Sequence, residues 1–282
     1  MSIFIAVDSP FMFYQHKRKN FLGTQICNRK KIMKILITND DGYQAPGIRA
    51  LFNALKSDHE VTLAAPDREK SAVGHGITLH TPLKHQKVRL GRDDFGHAVA
   101  GNPADCVKLA LFDICDQTPD LVISGINAGS NTGLNINYSG TVGAAREAAI
   151  NKIPAIAVSI QYGDTMDFDG MAAYAASILE KAMTLDLPPG VFLNINAPAI
   201  SFDRIVGTKV TSQADNNLIN MFDRRMNPRD LTYYWYAGMG QKEPCGEGSD
   251  NSALLENFIS ITPLQCDMTA HAAMDLVAKA GL

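Results

Sequence analysis

The amino-acid sequence predicts an α/β protein built on a doubly wound, mostly parallel sheet in a Rossmann-like three-layer arrangement. Short apolar segments of strand length alternate with segments of helical periodicity. Several of the apolar segments are continuous, which is typical of parallel strands covered on both faces. Ligands in such sheets bind beyond the carboxyl ends of the strands, so the loops that follow the strands are the candidate site.

The alternation begins with a strand predicted at 34–38, a turn-rich loop, and a helix at 47–56 whose apolar residues recur at helical spacing. Further strands and helices follow in the same alternation. The predicted strands are 61–65, 120–124, 155–160, 191–196 and 258–262, and the predicted helices are 103–112, 142–151 and 168–183.

The chain of 282 residues is long enough for one large α/β domain, which we expect at 33–282. Residues 1–32 are basic and hold one acid, and we interpret them as an N-terminal extension outside the fold. Their apolar residues precede the basic ones, the wrong order for a secretory signal; an upstream start codon and a targeting peptide stay open. From about residue 201 longer polar stretches predict a C-terminal arm used in oligomerisation, in which we expect the aromatic run 233–236 to be buried.

Composition narrows the class of partner. A net charge of -3 argues against a stable nucleic-acid partner and favours a small anion at a local site. Five cysteines without a C-x-x-C pair fit a reducing cytoplasm. The apolar stretches are shorter than the roughly 20 residues of a membrane helix, so no membrane partner is expected. Walker and G-x-G-x-x-G motifs are absent, which argues against P-loop proteins and dinucleotide oxidoreductases.

Two adjacent carboxylates, Asp40 and Asp41, follow the first predicted strand. Neighbouring anions at the edge of a sheet repel each other, and a bound cation or a raised pKa relieves the repulsion. Hard divalent cations such as Mg²⁺ or Mn²⁺ prefer these oxygen ligands. The alternative is an Asx turn that leads into the next helix.

Two later loops also carry oxygen donors. The segment 65–71 supplies the hydroxyl of Ser71, although a charged loop of this kind is also typical of a solvated surface turn. The segment 124–133 combines closely spaced glycines with Asn127 and Asn131, whose amides suit a metal or a phosphate. A wide turn with asparagines in left-handed positions is its structural alternative.

The segment Ser139, Gly140 and Thr141 precedes the helix predicted at 142–151. Unpaired N–H groups and the helix dipole attract phosphate to such an N-terminus, where two hydroxyls are also available. An ordinary N-cap is compatible with the same residues, because a capping side chain can also contact a ligand. The segment therefore predicts an anion-binding site.

Five motifs in a fixed order resemble the SurE family of stationary-phase survival proteins, which are metal-dependent 5′- and 3′-nucleotidases. The similarity covers residues 33 to about 275. The motifs are MKILITNDDG at 33–42 with APGI at 45–48, APDR at 65–68 with Ser71, SGINAGSN at 124–131, YSGTVG at 138–143 and ITPL at 261–264.

The resemblance implies a site of oxygen ligands that holds one divalent cation per subunit, Mn²⁺ or Mg²⁺. The implied metal ligands are Asp40, Asp41, Ser71 and Asn127. It also implies a group of residues around the bound phosphate. These are Asn131, Ser139, Gly140 and Thr141, with Asn39 as support for the site.

The activity that the resemblance implies is hydrolysis of nucleoside monophosphates to nucleoside and phosphate by a homodimer or homotetramer that exchanges C-terminal arms. Whether 3′-nucleotides and short polyphosphate are also cleaved stays open. Asp40 and Asp41 are the expected catalytic residues: both anchor the cation, and one of them orients or deprotonates the attacking water. The alternatives are an aspartyl-phosphate enzyme, which usually has one residue between its two aspartates, and a non-catalytic nucleotide-binding protein.

Overall fold

The computed structural model describes residues 31–92, 94–215, 221–237 and 246–281. Nearly all of the predicted extension at 1–32 lies outside these residues. Eleven strands and six α-helices are formed in the described residues. The strands are β1 Lys34–Thr38, β2 Glu60–Pro66, β3 His85–Arg89, β4 Phe95–Val99, β5 Leu121–Ala128, β6 Ala155–Ile160, β7 Val191–Ala197, β8 Gly207–Val210, β9 Met221–Met226, β10 Thr232–Ala237 and β11 Phe258–Gln265. The helices are α1 Pro46–Leu55, α2 Pro103–Leu109, α3 Gly140–Ile150, α4 Phe168–Thr184, α5 Asp250–Leu255 and α6 His271–Lys279.

Nine strands form one sheet in the order β3-β4-β2-β1-β5-β6-β7-β11-β8. The central strands from β4 to β7 run parallel to one another, whereas β3 and β11 are antiparallel to β4 and β7. The predicted mostly parallel α/β sheet is confirmed. The chain winds outward from β1 in both directions, so the crevice beyond the carboxyl end of β1 lies at the switch point where such sheets bind ligands.

The sheet separates two apolar layers because successive side chains of a strand point to opposite faces. On one face Ile35 and Ile37 of β1 pack with helices α1 and α4. On the other face Leu36 packs with residues of α2 and α3, among them Val107 and Val142. All five of these side chains are buried. The continuous apolar strands of the sequence therefore correspond to a sheet that is covered on both sides.

The predicted elements of the central sheet agree with the structure to within a few residues, with two differences. The helix predicted at 103–112 ends as α-helix at Leu109 and continues as one π-helical turn, Ala110–Ile114. Strands β3 and β4 were not predicted. The sequence of β3, HQKVR, is polar and largely exposed at the sheet edge, so it lacks the apolar pattern that identifies a buried strand.

The region after residue 201 is divided between the main sheet and a separate hairpin. Strands β8 and β11 belong to the main sheet, whereas β9 and β10 pair with each other. The expectation that 233–236 is buried is wrong for this chain, since Trp235 and Tyr236 are 61% and 72% exposed. Among the described residues, β9 and β10 pair with each other apart from the main sheet, and these rings stay uncovered. The use of this region in oligomerisation stays a prediction.

None of the helices in the described ranges combines the length and the apolar character needed to cross a membrane.

Helix α1 approaches β5 so closely that a Cβ atom on Gly47 would lie 1.9 Å from the carbonyl oxygen of Ile126. We expect Gly47→Ala to lower the free energy of unfolding by about 1–3 kcal/mol, because the added methyl overpacks this contact. Urea unfolding gives the value. Asn53→Ala is the matched control, because Asn53 is exposed on the same helix and both changes increase helix propensity. Equal stability of the two variants would contradict the expected clash.

Candidate functional site

Four segments of the chain meet at the carboxyl end of β1, around Asp40 and Asp41. The backbone N–H of Lys70, in the loop after β2, donates to the carbonyl oxygen of Asp40 at 2.7 Å. The N–H of Ala128, at the end of β5, donates to Oδ2 of Asp41 at 3.3 Å. The first turn of α3 binds Asp40 through Thr141. The predicted loops after three parallel strands therefore converge on the two carboxylates.

Asp40 is 4% exposed and both of its carboxylate oxygens are bound by one residue. The hydroxyl of Thr141 donates to Oδ1, and the N–H of Thr141 donates to Oδ2 at 3.1 Å. Gly140 allows this approach, since a Cβ atom there would lie 2.9 Å from the Cβ of Asp40. Burial, and to a lesser extent the charge of Asp41, raise the pKa of Asp40 to about 6 although the bonds from Thr141 oppose the shift.

Asp41 is less buried than Asp40 and accepts one backbone hydrogen bond, from Ala128. Burial raises the pKa of Asp41, and the negative charge of Glu69 acts in the same direction. Within the described ranges, no positive side chain is among the causes that shift the pKa of Asp40 or Asp41. The two carboxylates thus lie together in one site, where a bound cation would relieve their repulsion.

The loops that meet at the carboxylates also carry neutral oxygen donors, which suit a hard divalent cation. Asn127 donates its Nδ2 to the carbonyl oxygen of Gly129 at 2.7 Å, which leaves Oδ1 without a bond to any described residue. Ser71 is exposed, and its hydroxyl donates to Oε1 of Glu69 at 2.7 Å. Within the described ranges no cluster of three His, Cys, Asp or Glu side chains could hold a metal. A cation here would therefore need amide or hydroxyl oxygens, which suits Mg²⁺ and Mn²⁺ better than softer metals.

Asn39 is fully buried and shapes the loop that carries the carboxylates. Its Nδ2 donates to the carbonyl oxygen of Gly42 at 3.0 Å, and its Oδ1 accepts from the N–H of Gly42 at 3.1 Å. The turn is therefore made by Asn39 and not by the two aspartates, and no side chain caps α1 at its N-cap Ala45, so the expected helix-capping Asx turn is not formed. Asn39 is placed as a support of the loop rather than as a ligand.

The N-terminus of α3 is formed by the predicted anion-binding segment. Ser139 is the N-cap, and its hydroxyl accepts from the N–H of Val142 at 3.1 Å. Thr141 is fully buried and turned toward Asp40, so its hydroxyl supports the carboxylate. The N–H of Gly140 has no partner in the described parts of the chain. A backbone donor thus remains at this helix terminus, which attracts anions through its dipole.

Asn131 is held in a buried polar network rather than by the carboxylates. Its N–H donates to Oδ1 of Asn196 at 2.7 Å, and its Nδ2 donates to the hydroxyl of Ser159 at 2.8 Å. Its carbonyl oxygen accepts from the side chains of Asn194 and Asn196. These bonds fix the backbone of the glycine-rich loop. Within the described ranges, no hydrogen bond joins Asn131 to Asp40 or Asp41, and the same is true of Ser71, Asn127 and Ser139.

Several residues of the site were not singled out from the sequence. Asn194 and Asn196 alternate with apolar residues in the buried strand β7, and such polar residues at alternate positions of an otherwise apolar strand are a usable signal. Glu69, which accepts from Ser71 and raises the pKa of Asp41, had no distinguishing signal in a charged loop.

The sequence model of the family described as "Survival protein SurE" matches residues 35–220. The chain belongs to the SurE family. A relative from Syntrophobacter fumaroxidans, named "5'-nucleotidase SurE", is 43% identical over 247 residues, which cover 88% of this chain and 99% of the relative. A relative of the same name from Carboxydothermus hydrogenoformans is 45% identical over 250 residues, which cover 85% of this chain and 92% of the relative.

A solved structure of a SurE protein from Aquifex aeolicus has the same fold, with a TM-score of 0.77 and 38% sequence identity. The match covers 88% of this chain and 100% of the other. The family resemblance inferred from the five motifs is therefore confirmed. The individual roles of the site residues stay predictions.

The free energy of unfolding of the metal-free protein should fall as pH rises from about 4 to about 6. The pKa of Asp40 is about 6 in the folded protein against an ordinary value of 3.8, so between these values the folded state binds more protons than the unfolded state. Raising the pH therefore destabilises the fold, by roughly 2 kcal/mol between pH 4 and pH 6. Urea unfolding between pH 4 and pH 8 in the presence of a chelator measures this dependence.

Asp40→Asn is the matched control for this pH dependence, because the amide resembles the protonated carboxyl in shape and charge. The variant should lose most of the fall in stability between pH 4 and pH 6. An unchanged pH profile in the variant would show that Asp40 does not titrate in this range.

Proposed function

We propose that the protein is a metal-dependent 5′-nucleotidase, a phosphoric monoester hydrolase that converts nucleoside monophosphates to nucleoside and phosphate. The relatives named "5'-nucleotidase SurE" support the reaction. The observation that carries the proposal is the pair Asp40 and Asp41, which share one site with raised pKa values beside a helix N-terminus. Such a pair suits a cation, and the helix terminus suits a phosphate.

One divalent cation per subunit, Mn²⁺ or Mg²⁺, would be held by Asp40, Asp41, Ser71 and Asn127. When bound, the cation lowers the pKa of a water and stabilises negative charge on the phosphate oxygens. Asp40 is fixed by Thr141 and anchors the cation in a constant position. Ser71 and Asn127 complete the ligand set with neutral oxygens.

The water-orienting role is assigned to Asp41. Both oxygens of Asp40 are engaged by Thr141, and the residue is almost fully buried. Asp41 accepts one hydrogen bond, from Ala128 at 3.3 Å, and is partly exposed. Its carboxylate therefore has the free capacity to accept a proton from the attacking water.

The phosphate of the substrate binds at the N-terminus of α3. The N–H of Gly140 donates to it, and Ser139 fixes the first turn as the N-cap. The network around Asn131 holds the glycine-rich loop, which we place on the other side of the proposed phosphate site. The described contacts favour neither a particular base nor the 5′ over the 3′ position, so substrate choice is a matter for measurement.

The cellular form that we propose is a cytoplasmic homodimer or homotetramer. The described cysteines Cys106, Cys115 and Cys266 are free thiols, which fits a reducing compartment. On one face of the hairpin the exposed rings of Phe222 and Tyr236 lie 4.9 Å apart between centroids. An exposed aromatic cluster of this kind is typical of a protein interface.

Phosphate release should require an added divalent cation. Chelator-treated protein should release no phosphate from nucleoside monophosphates, and Mn²⁺ or Mg²⁺ should restore release, because the carboxylates alone cannot stabilise the charge that develops on the phosphate. A panel of 5′- and 3′-nucleotides and short polyphosphate, assayed for free phosphate, ranks the substrates. Absence of release with every metal and nucleotide would favour the non-catalytic nucleotide-binding protein.

Asp41→Asn provides the residue-level test, with Asp186→Asn as its matched control. We expect the Asp41 variant to lose at least about 10²-fold in kcat, because it removes both a ligand and the group that orients water. Asp186 is exposed in the loop between α4 and β7, at the opposite edge of the sheet, and its variant should keep full activity. Equal activity of the two variants would contradict the proposed site.

Sedimentation equilibrium should give a mass of at least twice the 30.6 kDa of one chain. Replacing Tyr234 and Tyr236 by serine should lower that mass toward the value of one chain, because the change removes apolar surface from the hairpin. A wild-type mass of 30.6 kDa would contradict the proposed oligomer.

A further inference from the structure

A short segment after Ser71, residues 74–78, lies across α2 and α3 and is called here the strap. The N–H of Gly74 donates to the carbonyl oxygen of Tyr138, just before α3, at 2.9 Å. The N–H of Thr78 donates to Oδ1 of Asp105 in α2 at 3.0 Å. The strap is therefore attached to α2 and to the residue that stands just before the N-cap of α3.

His75 makes the one side-chain hydrogen bond between the strap and α3 in the described residues. Its Nε2 lies 2.8 Å from Oε2 of Glu147, on the second turn of α3. Glu147 is itself buried and held by two further side chains, Lys108 at 2.8 Å and Asn151 at 3.0 Å. Bonds from these three partners outweigh burial and lower the pKa of Glu147 to about 2, so it faces His75 as a carboxylate.

Ser71 lies between two fixed points of the backbone. On one side the N–H of Lys70 is bound to the carbonyl oxygen of Asp40 at 2.7 Å. On the other side Gly74 is bound to Tyr138. The three residues 71–73 span these anchors, and the residue next to the second anchor is His75. The bond from His75 to Glu147 thus reinforces the backbone anchor at the far end of the loop that carries Ser71.

We propose that His75 is a positioning residue, which through its bond to Glu147 fixes the strap on α3 and so places the hydroxyl of Ser71 beside Asp40 and Asp41. This rests on the proposed metal site. The Nε2 atom of His75 is engaged by Glu147, which fits a role that acts through the strap. Residues that orient metal ligands in this way typically change metal affinity by about 10–100-fold when they are removed.

The test is a calorimetric titration of metal-free protein with Mn²⁺ alone, in the absence of substrate. His75→Ala should weaken Mn²⁺ binding by about 10–100-fold, because the far end of the Ser71 loop is then held to the α3 side by the Gly74 backbone bond without the support of Glu147. His75→Gln places an amide nitrogen where Nε2 lies, can still donate to Glu147, and should bind Mn²⁺ within about threefold of the wild type. Amide hydrogen exchange of 71–76 should accelerate in the alanine variant and not in the glutamine variant.

The matched control is His271→Ala. His271 makes a contact of the same length, 2.8 Å, with Asp267, but this pair is exposed and lies at the start of α6. Its removal should leave Mn²⁺ affinity unchanged. If the His75→Ala variant does not fold, His75→Asn, whose side chain is too short to reach Glu147, replaces it in the comparison.

Two results would overturn the positioning role: wild-type Mn²⁺ affinity in the alanine variant, or an equal loss in the alanine and glutamine variants. The second would show that the imidazole itself, and not its bond to Glu147, is what matters. Since Mn²⁺ affinity is measured without substrate, its selective loss supports the role of His75 even if the wild type releases no phosphate. Absence of phosphate release by the wild type would contradict the proposed reaction but not the positioning role of His75.

Discussion

The burial of Asp40 beside Asp41 is the constraint on which the rest of the site depends. A carboxylate that is 4% exposed, next to a second one, is costly in its charged form, and burial raises its pKa to about 6. The chain offsets part of the cost with two hydrogen bonds from Thr141. These bonds require the first turn of α3 to approach β1, and this approach explains why a glycine occupies position 140.

The sheet topology makes that approach possible. Strand β1 lies between β2 and β5, and the chain winds away from it in both directions, so the loops after all three strands open at the same edge. Hydrogen bonds from Lys70 and Ala128 then join those loops to Asp40 and Asp41. A site at this edge needs no insertion or separate domain.

Local pattern was sufficient to predict the central strands and the residues that follow them, because apolar runs and Asp-Asp or Gly-Asn loops are local signals. Thr141 shows the limit of this reasoning: its position before a helix predicted a phosphate contact, but its hydroxyl is bound to a carboxylate that lies 101 residues earlier in the chain. The exposure of the 233–236 run was missed for a related reason. Aromatic composition favours burial, but burial also needs a covering layer, and no sequence pattern reports one.

Charge balance explains why the proposed metal site uses neutral ligands beside its two carboxylates. Two aspartates neutralise one divalent cation, so the hydroxyl of Ser71 and the amide of Asn127 add coordination without adding negative charge. A third carboxylate as ligand would make the site anionic and would oppose the binding of a phosphate dianion nearby. Glu69 is such a carboxylate, and in the structure its Oε1 accepts the hydroxyl of Ser71. To serve as a metal ligand, that hydroxyl would have to turn from Glu69 toward the cation. The Ser71 loop is therefore the part of the site whose position depends on contacts beyond the metal ligands.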